Sequence, residues 1–155
     1  MRLVAYQPDM APNVGALIRL GACFAIPVEI IAPCGFPMSD KDLKRVAMDY
    51  GELAKVTMHD SWPAFLGGDA AREGRLVLLT TKADQTHADF AFQPNDLLLL
   101  GRESAGAPRE VHDRADARVR VPMAPGARSL NIAMAGAIVL SEALRQTDGL
   151  SFAAG

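Results

Sequence analysis

Apolar residues in this 155-residue chain fall in short runs, separated by polar loops that carry glycine or proline. The runs at 2–6, 28–32, 54–59, 75–80, 97–100 and 118–121 are too short for helices and read as strands. Leu97-Leu98-Leu99-Leu100 is apolar at every position, the pattern of a strand covered on both faces of a parallel sheet. Between these runs the spacing predicts helices over 14–25, 40–49, 61–72, 108–115 and 129–146. Ser39 with Asp42 has the form of a capping box, and Pro27 is placed to close the first helix. Strands and helices alternate from end to end, which gives an α/β fold with a mostly parallel sheet flanked by helices. No linker or repeat interrupts it, so residues 1–155 read as a single domain without an appended module.

Two of these helices depart from the usual one-sided pattern. From Val14 to Ile26 the only charge is Arg19, set between Ile18 and Leu20. Burying an unpaired guanidinium is costly, so Arg19 must reach water, a carboxylate or a ligand. A helix apolar on nearly every side packs on the sheet and on something else, for which a second subunit is the economical candidate. The last helix carries Ala133, Ala135, Gly136 and Ala137, small residues that permit close backbone approach. They suit packing against the domain's own sheet or against a second subunit, and the two are compatible on different faces.

Composition narrows the class. Half of the residues are hydrophobic and 22% are charged, enough for a sizeable core and against disorder. A net charge of −2 argues against a strongly cationic, non-specific nucleic-acid binder. Local basic clusters remain, at Lys41, Lys44 and Arg45 and in the six arginines between Leu100 and Leu130. Cys23 and Cys34 fit no zinc or redox spacing and read as buried small hydrophobes in a reducing compartment. The apolar start is too short for a signal peptide, and no run reaches the roughly 18 apolar residues of a membrane span. A cytoplasmic protein without membrane partners is expected.

The candidate chemistry lies at two predicted strand ends, where ligands bind in open α/β sheets. One loop is Gly101-Arg102-Glu103-Ser104-Ala105-Gly106-Ala107-Pro108; the other runs from Pro122-Met123-Ala124-Pro125-Gly126 to Ser129. Gly101 and Gly106 have P-loop spacing, but Ala107 and Pro108 stand where phosphate and magnesium binding need lysine and a hydroxyl. No Gly-x-Gly-x-x-Gly follows a strand. His59, His87 and His112 are scattered in sequence, so a metal site is unsupported.

Three segments bear on function together: Pro12-Asn13-Val14-Gly15-Ala16-Leu17-Ile18-Arg19, Leu100 to Pro108, and Val121-Pro122-Met123 with Arg128-Ser129-Leu130-Asn131. In this order and spacing they resemble the SPOUT class of RNA methyltransferases, in its SpoU-like 2′-O-ribose branch. The likeness runs nearly end to end, through Gly35-Phe36, Asp49-Tyr50 and Leu79-Thr80-Thr81-Lys82. It is closest to the short bacterial enzymes that methylate the wobble ribose of tRNA. The resemblance implies a deep C-terminal trefoil knot, an obligate homodimer with a site shared across its interface, and S-adenosylmethionine as methyl donor, leaving S-adenosylhomocysteine. It implies the tRNA anticodon loop as partner, with no role for metal or DNA. Other tRNA or rRNA riboses, or a knotted binding module without turnover, are the competing readings.

By the same resemblance, Leu79, Gly101, Val121, Ser129 and Leu130 contact the cofactor. Arg19 is the candidate catalytic residue, with Asn13, Glu103 and Asn131 around it, and Arg128 is a candidate for RNA phosphate. Guanidinium stays protonated far above neutral pH, so Arg19 suits holding the ribose hydroxyl or a phosphate better than removing a proton. Asn13 either orients Arg19 or caps the first helix. Glu103 orients Arg19 or Asn131, or is a solvated loop charge. Ser129 and Asn131 are good N-caps, a role compatible with ligand contact. Arg102, Ala107 and Ser141 depart from residues common in the class; Ser141 bears on RNA contact.

Overall fold

The computed structural model describes residues 1–38, 53 and 55–150. Six parallel strands form one sheet in the order β3-β2-β1-β5-β4-β6. They are β1 (Arg2–Tyr6), β2 (Val28–Ile31), β3 (Val56–His59), β4 (Arg75–Leu79), β5 (Asp96–Leu100) and β6 (Ala117–Val119). Among the described residues the helices are α1 (Ala11–Cys23), α2 (Trp62–Gly67), α3 (Asp69–Glu73), α4 (Arg109–Arg114) and α5 (Ile132–Gln146). The α/β expectation with a mostly parallel sheet therefore holds.

Alternation along the strands builds two cores. Leu3 and Ala5 of β1 and Leu98 and Leu100 of β5 face α1 and α5, meeting Leu17, Ile18, Val139 and Leu140. Val4, Tyr6, Leu97 and Leu99 face the opposite side, against Trp62, Phe65, Ala71 and Val111 of α2, α3 and α4. This makes a three-layer sandwich with β5 buried at all five positions. Gly136 lets α5 settle onto Leu17 and Leu100, so this small residue serves packing within the chain. The strand begins one residue earlier than its apolar run predicts because Asp96, fully buried, is held bidentately by Arg75 at 2.8 and 2.9 Å. A paired buried carboxylate can open a strand where an unpaired one could not.

Other differences from expectation have local causes. The first helix ends at Cys23, short of Pro27, because Ala25 takes a left-handed φ of 54°. The amides of Ile26 and Ala25 then close onto the carbonyls of Gly21 and Ala22, a Schellman ending. The helix expected over 61–72 is two short ones, broken where Gly68 is extended. The last helix starts at Ile132, capped by Asn131, so Ser129 lies in the preceding loop. Cys23 is exposed and Cys34 half-buried. Neither is the core hydrophobe expected, since Cys23 falls on the outer side of α1 with Ala16 and Arg19. Burial, reinforced by the nearby Glu103 carboxylate, pushes the Cys34 thiol up. The helix over 40–49, its capping box, and the cluster of Lys41, Lys44 and Arg45 lie outside the described residues.

Candidate active site

The strand order reverses between β1 and β5, which are hydrogen-bonded neighbours. From there α1 crosses to one face of the sheet and α4 to the other. A crevice opens at such a switch point, beyond the carboxyl ends of the strands. Here it is a cleft of about 470 Å³ walled by the loops after β1, β4, β5 and β6, within the range of small-molecule and cofactor sites.

The loop after β5 is closed on itself. Arg102 and Gly106 exchange two backbone hydrogen bonds, of 3.1 and 2.9 Å, and Gly106 turns the chain with φ +67°. Gly101 lies hard against the returning strand: a Cβ there would sit 2.6 Å from the Ala107 nitrogen and 2.7 Å from the Gly106 carbonyl carbon. The glycine is therefore a requirement of the loop's shape.

A chain of polar side chains runs from this loop to the last helix. Glu103 accepts from the Asp9 amide at 2.7 Å and from Asn13 Nδ2 at 2.9 Å. Asn13 Oδ1 accepts from Asn131 Nδ2 at 2.8 Å. Asn131 Oδ1 accepts the amides of Ala133 and Met134 at 2.9 and 3.3 Å. The sequence of donors is self-consistent. An ionised carboxylate only accepts, so Asn13 must turn its NH2 to Glu103 and its oxygen to Asn131. Asn131 must then turn its oxygen to the helix amides, which want an acceptor.

Asn13 does not cap the first helix. It lies inside α1, whose N-cap is Met10 without a side-chain cap, and it is buried. It links Glu103 to Asn131. Glu103 is held by partners, not solvated, and reaches Asn131 only through Asn13.

Asp9 was not among the residues expected here, although it follows β1 by three positions. Its Oδ1 takes Arg102 Nη2 and Nε at 2.9 and 3.2 Å, and its Oδ2 takes the Ser104 hydroxyl and amide at 2.6 and 3.0 Å. These donors, the Ser104 hydroxyl foremost, hold its carboxyl down at about 2. A carboxylate just past a strand's carboxyl end was the available signal. His112 of α4 also lines the cleft. Burial first, then the cations of Arg118 and Lys82, lower its pKa from the usual 6.5, favouring neutral imidazole.

The structure brings together most of the residues singled out from sequence. Leu79, Gly101, Val121, Ser129 and Leu130 all line the cleft, as do Asn13, Glu103 and Asn131. Arg19 and Arg128 do not. Arg19 is on the exposed side of α1 and Arg128 is exposed in the loop before α5. The walls mix apolar side chains, Leu79, Leu100, Val121, Leu130 and Ile132, with polar ones that include Thr80, Lys82 and His112 beside the Glu103–Asn13–Asn131 chain. A cleft at strand ends with apolar walls and several polar groups fits a nucleoside-bearing cofactor such as S-adenosylmethionine. Among the described residues, no group of three or more His, Cys, Asp or Glu side chains could hold a metal ion.

Comparison with known proteins agrees with this geometry. Residues 1–141 match the model of the SpoU rRNA methylase family. A relative from Beijerinckia indica, named tRNA (cytidine(34)-2′-O)-methyltransferase, is 50% identical over 96% of this chain and 93% of its own. The protein of that name from Escherichia coli K12 is 39% identical over 94% and 93%. Among solved structures, one described as "Structural insights into the 2-OH methylation of C/U34 on tRNA" superposes with a TM-score of 0.85 at 36% identity, covering 94% of both chains. The SpoU methyltransferase AviRb from Streptomyces viridochromogenes, in complex with AdoMet, superposes with a TM-score of 0.82 at 26% identity, over 94% of this chain and 60% of AviRb. With the family's three motifs converging on one cleft and a match over residues 1–141, the chain belongs to the SpoU methylase family.

Proposed function

We propose that this protein transfers a methyl group from S-adenosylmethionine to the ribose 2′-hydroxyl of nucleotide 34 of tRNA, as a cytoplasmic homodimer acting on neither DNA nor a membrane. The observation that carries the reading is the cleft itself, with Leu79, Gly101, Val121, Ser129 and Leu130 along it and the Glu103–Asn13–Asn131 chain at its margin. The wobble position is supported by the names of relatives aligned over more than nine-tenths of their length. Family membership supports a trefoil knot in the C-terminal segment.

When bound, the cofactor supplies an electrophilic methyl on a sulfonium, and the protein's own work is placement. The apolar walls hold a purine ring, and Gly101 admits it close to the backbone. The Glu103–Asn13–Asn131 chain fixes the start of α5 against the loop after β5, so both sides of the cleft keep one geometry. The Arg19 guanidinium would hold the ribose oxygen or a neighbouring phosphate as negative charge develops.

Arg19 lies outside its own chain's cleft, which favours a site completed by a second subunit. The α1–α5 side leaves Met10, Met134 and Ile138 exposed at 51, 59 and 39%. Met10 and Ala135 also line the cleft, so the apolar face and the site are continuous. A partner covering that face would bury the methionines and bring its Arg19 to this cleft.

The test is transfer from labelled S-adenosylmethionine to tRNA from cells lacking the gene, after treating the protein with chelator. The label is expected in tRNA, on the 2′-oxygen of nucleotide 34. Label confined to rRNA or to another tRNA position, or no label at all, would overturn the reading.

A further inference from the structure

We infer that Asp9 is a positioning residue for the cofactor: its carboxylate ties the loop after β5 to the start of α1, and that tie sets the shape of the S-adenosylmethionine site. The inference rests on the function proposed above but concerns a residue outside the three motifs that carry it.

Asp9 binds three consecutive residues of the loop. Its carboxylate takes Arg102 on one oxygen and both donors of Ser104 on the other, while its own amide donates to Glu103. The Glu103–Asn13 bond holds the middle of the loop, and the Asp9 carboxylate holds the residues on either side of it. Ser104, Ala105 and Gly106 are exposed, and the Arg102–Gly106 pair closes the loop on itself without fixing its direction. Asp9, by contrast, is anchored from behind. Gly35 packs so closely that a Cβ on it would lie 2.9 Å from Asp9 Cα, and the Gly35 amide donates to the Pro8 carbonyl at 2.9 Å. The next residue, Met10, is the N-cap of α1 and accepts the Asn13 amide at 3.1 Å. The carboxylate therefore joins a fixed point at the head of α1 to a loop whose residues Gly101, Arg102, Ala105 and Ala107 face the cleft. Charge-assisted bonds of this kind are stronger than neutral ones and directional.

Asp9→Asn removes the charge and one of the two acceptor oxygens while keeping size and the amide that holds Glu103. Calorimetric affinity for S-adenosylmethionine is expected to fall on the order of tenfold. Amide exchange at Ser104 is expected to quicken in the cofactor-free protein. Arg102→Gln and Ser104→Ala attack the same tie from the loop side, so they should weaken cofactor binding without adding fully to Asp9→Asn. Asp9→Glu, which retains the carboxylate, should recover part of the loss. These loop-side variants also decide the matter if Asp9→Asn fails to fold. A purely structural role predicts something else: a lower thermal midpoint with wild-type cofactor affinity and unchanged Ser104 exchange in the folded protein. That result, or full additivity of the variants, overturns the inference. Failure of the wild-type protein to bind S-adenosylmethionine would instead overturn the functional reading on which it rests.

Discussion

Asn13 does two things at once that few side chains can: it donates to a carboxylate and accepts from an amide, at 2.9 and 2.8 Å, while buried. Asn13→Ala leaves Glu103 Oε1 and the Asn131 amide without their partner, and denaturant unfolding should show a loss of about 1–3 kcal/mol. Asn13→Asp should be worse at neutral pH, because it sets a carboxylate against Glu103. That defect should shrink as the pH falls and the new carboxyl, its pKa raised by Glu103, takes up a proton and donates it. Asp9 has the opposite sign. Its folded pKa of about 2 lies below the usual 3.8, so its contribution is complete above about 4 and is lost as the pH falls toward 2. An acid titration followed by Ser104 exchange should show that loss in the wild type and not in Asp9→Asn. Nothing in the local sequence displays this pair. Arg102 and Ser104 are 93 and 95 residues away from Asp9, and only the pairing of β1 with β5 makes them neighbours.

The loop after β5 is the element on which the site turns, and its weak point is Gly101. Gly101→Ala would drive a methyl group into the backbone at Gly106 and Ala107, atoms that cannot rotate away as a side-chain end could. The loop must open, and calorimetry should find cofactor binding lost while far-UV circular dichroism keeps the α/β signature. Elements of this kind announce themselves in sequence because a buried run such as Leu97–Leu100 has one reading, and a glycine after it marks the turn. Element ends are harder. Ser129 and Asn131 are both good caps, and the choice of Asn131 follows from its bond to Asn13, more than a hundred residues upstream. The end of α1 depends on a left-handed Ala25, a residue type with no preference for that conformation. The break between α2 and α3 was carried by Gly67-Gly68, which the apolar spacing around it obscured.

At the scale of the whole molecule, the chain gathers its candidate cofactor residues along one cleft but keeps Arg19 outside it, on the exposed side of α1. That Leu79, Gly101, Val121, Ser129 and Leu130 share one cleft was readable because strand ends and motif spacing put them in one place. Arg19's position relative to the cleft was not, since it depends on which face of α1 meets the sheet. Arg19→Ala should retain the dimer and cofactor affinity and lose on the order of 10²–10⁴ in turnover. If the site is shared, mixing Arg19→Ala with Asn131→Ala dimers restores one intact site per mixed dimer. Random exchange then recovers up to about a quarter of wild-type turnover, whereas a site within one subunit recovers none. The most direct test of the account is ribose-methylation mapping of total tRNA from cells with and without this gene. The account predicts that 2′-O-methylation disappears at nucleotide 34 and at no other position. Its persistence there, or a loss at a different nucleotide, would contradict it.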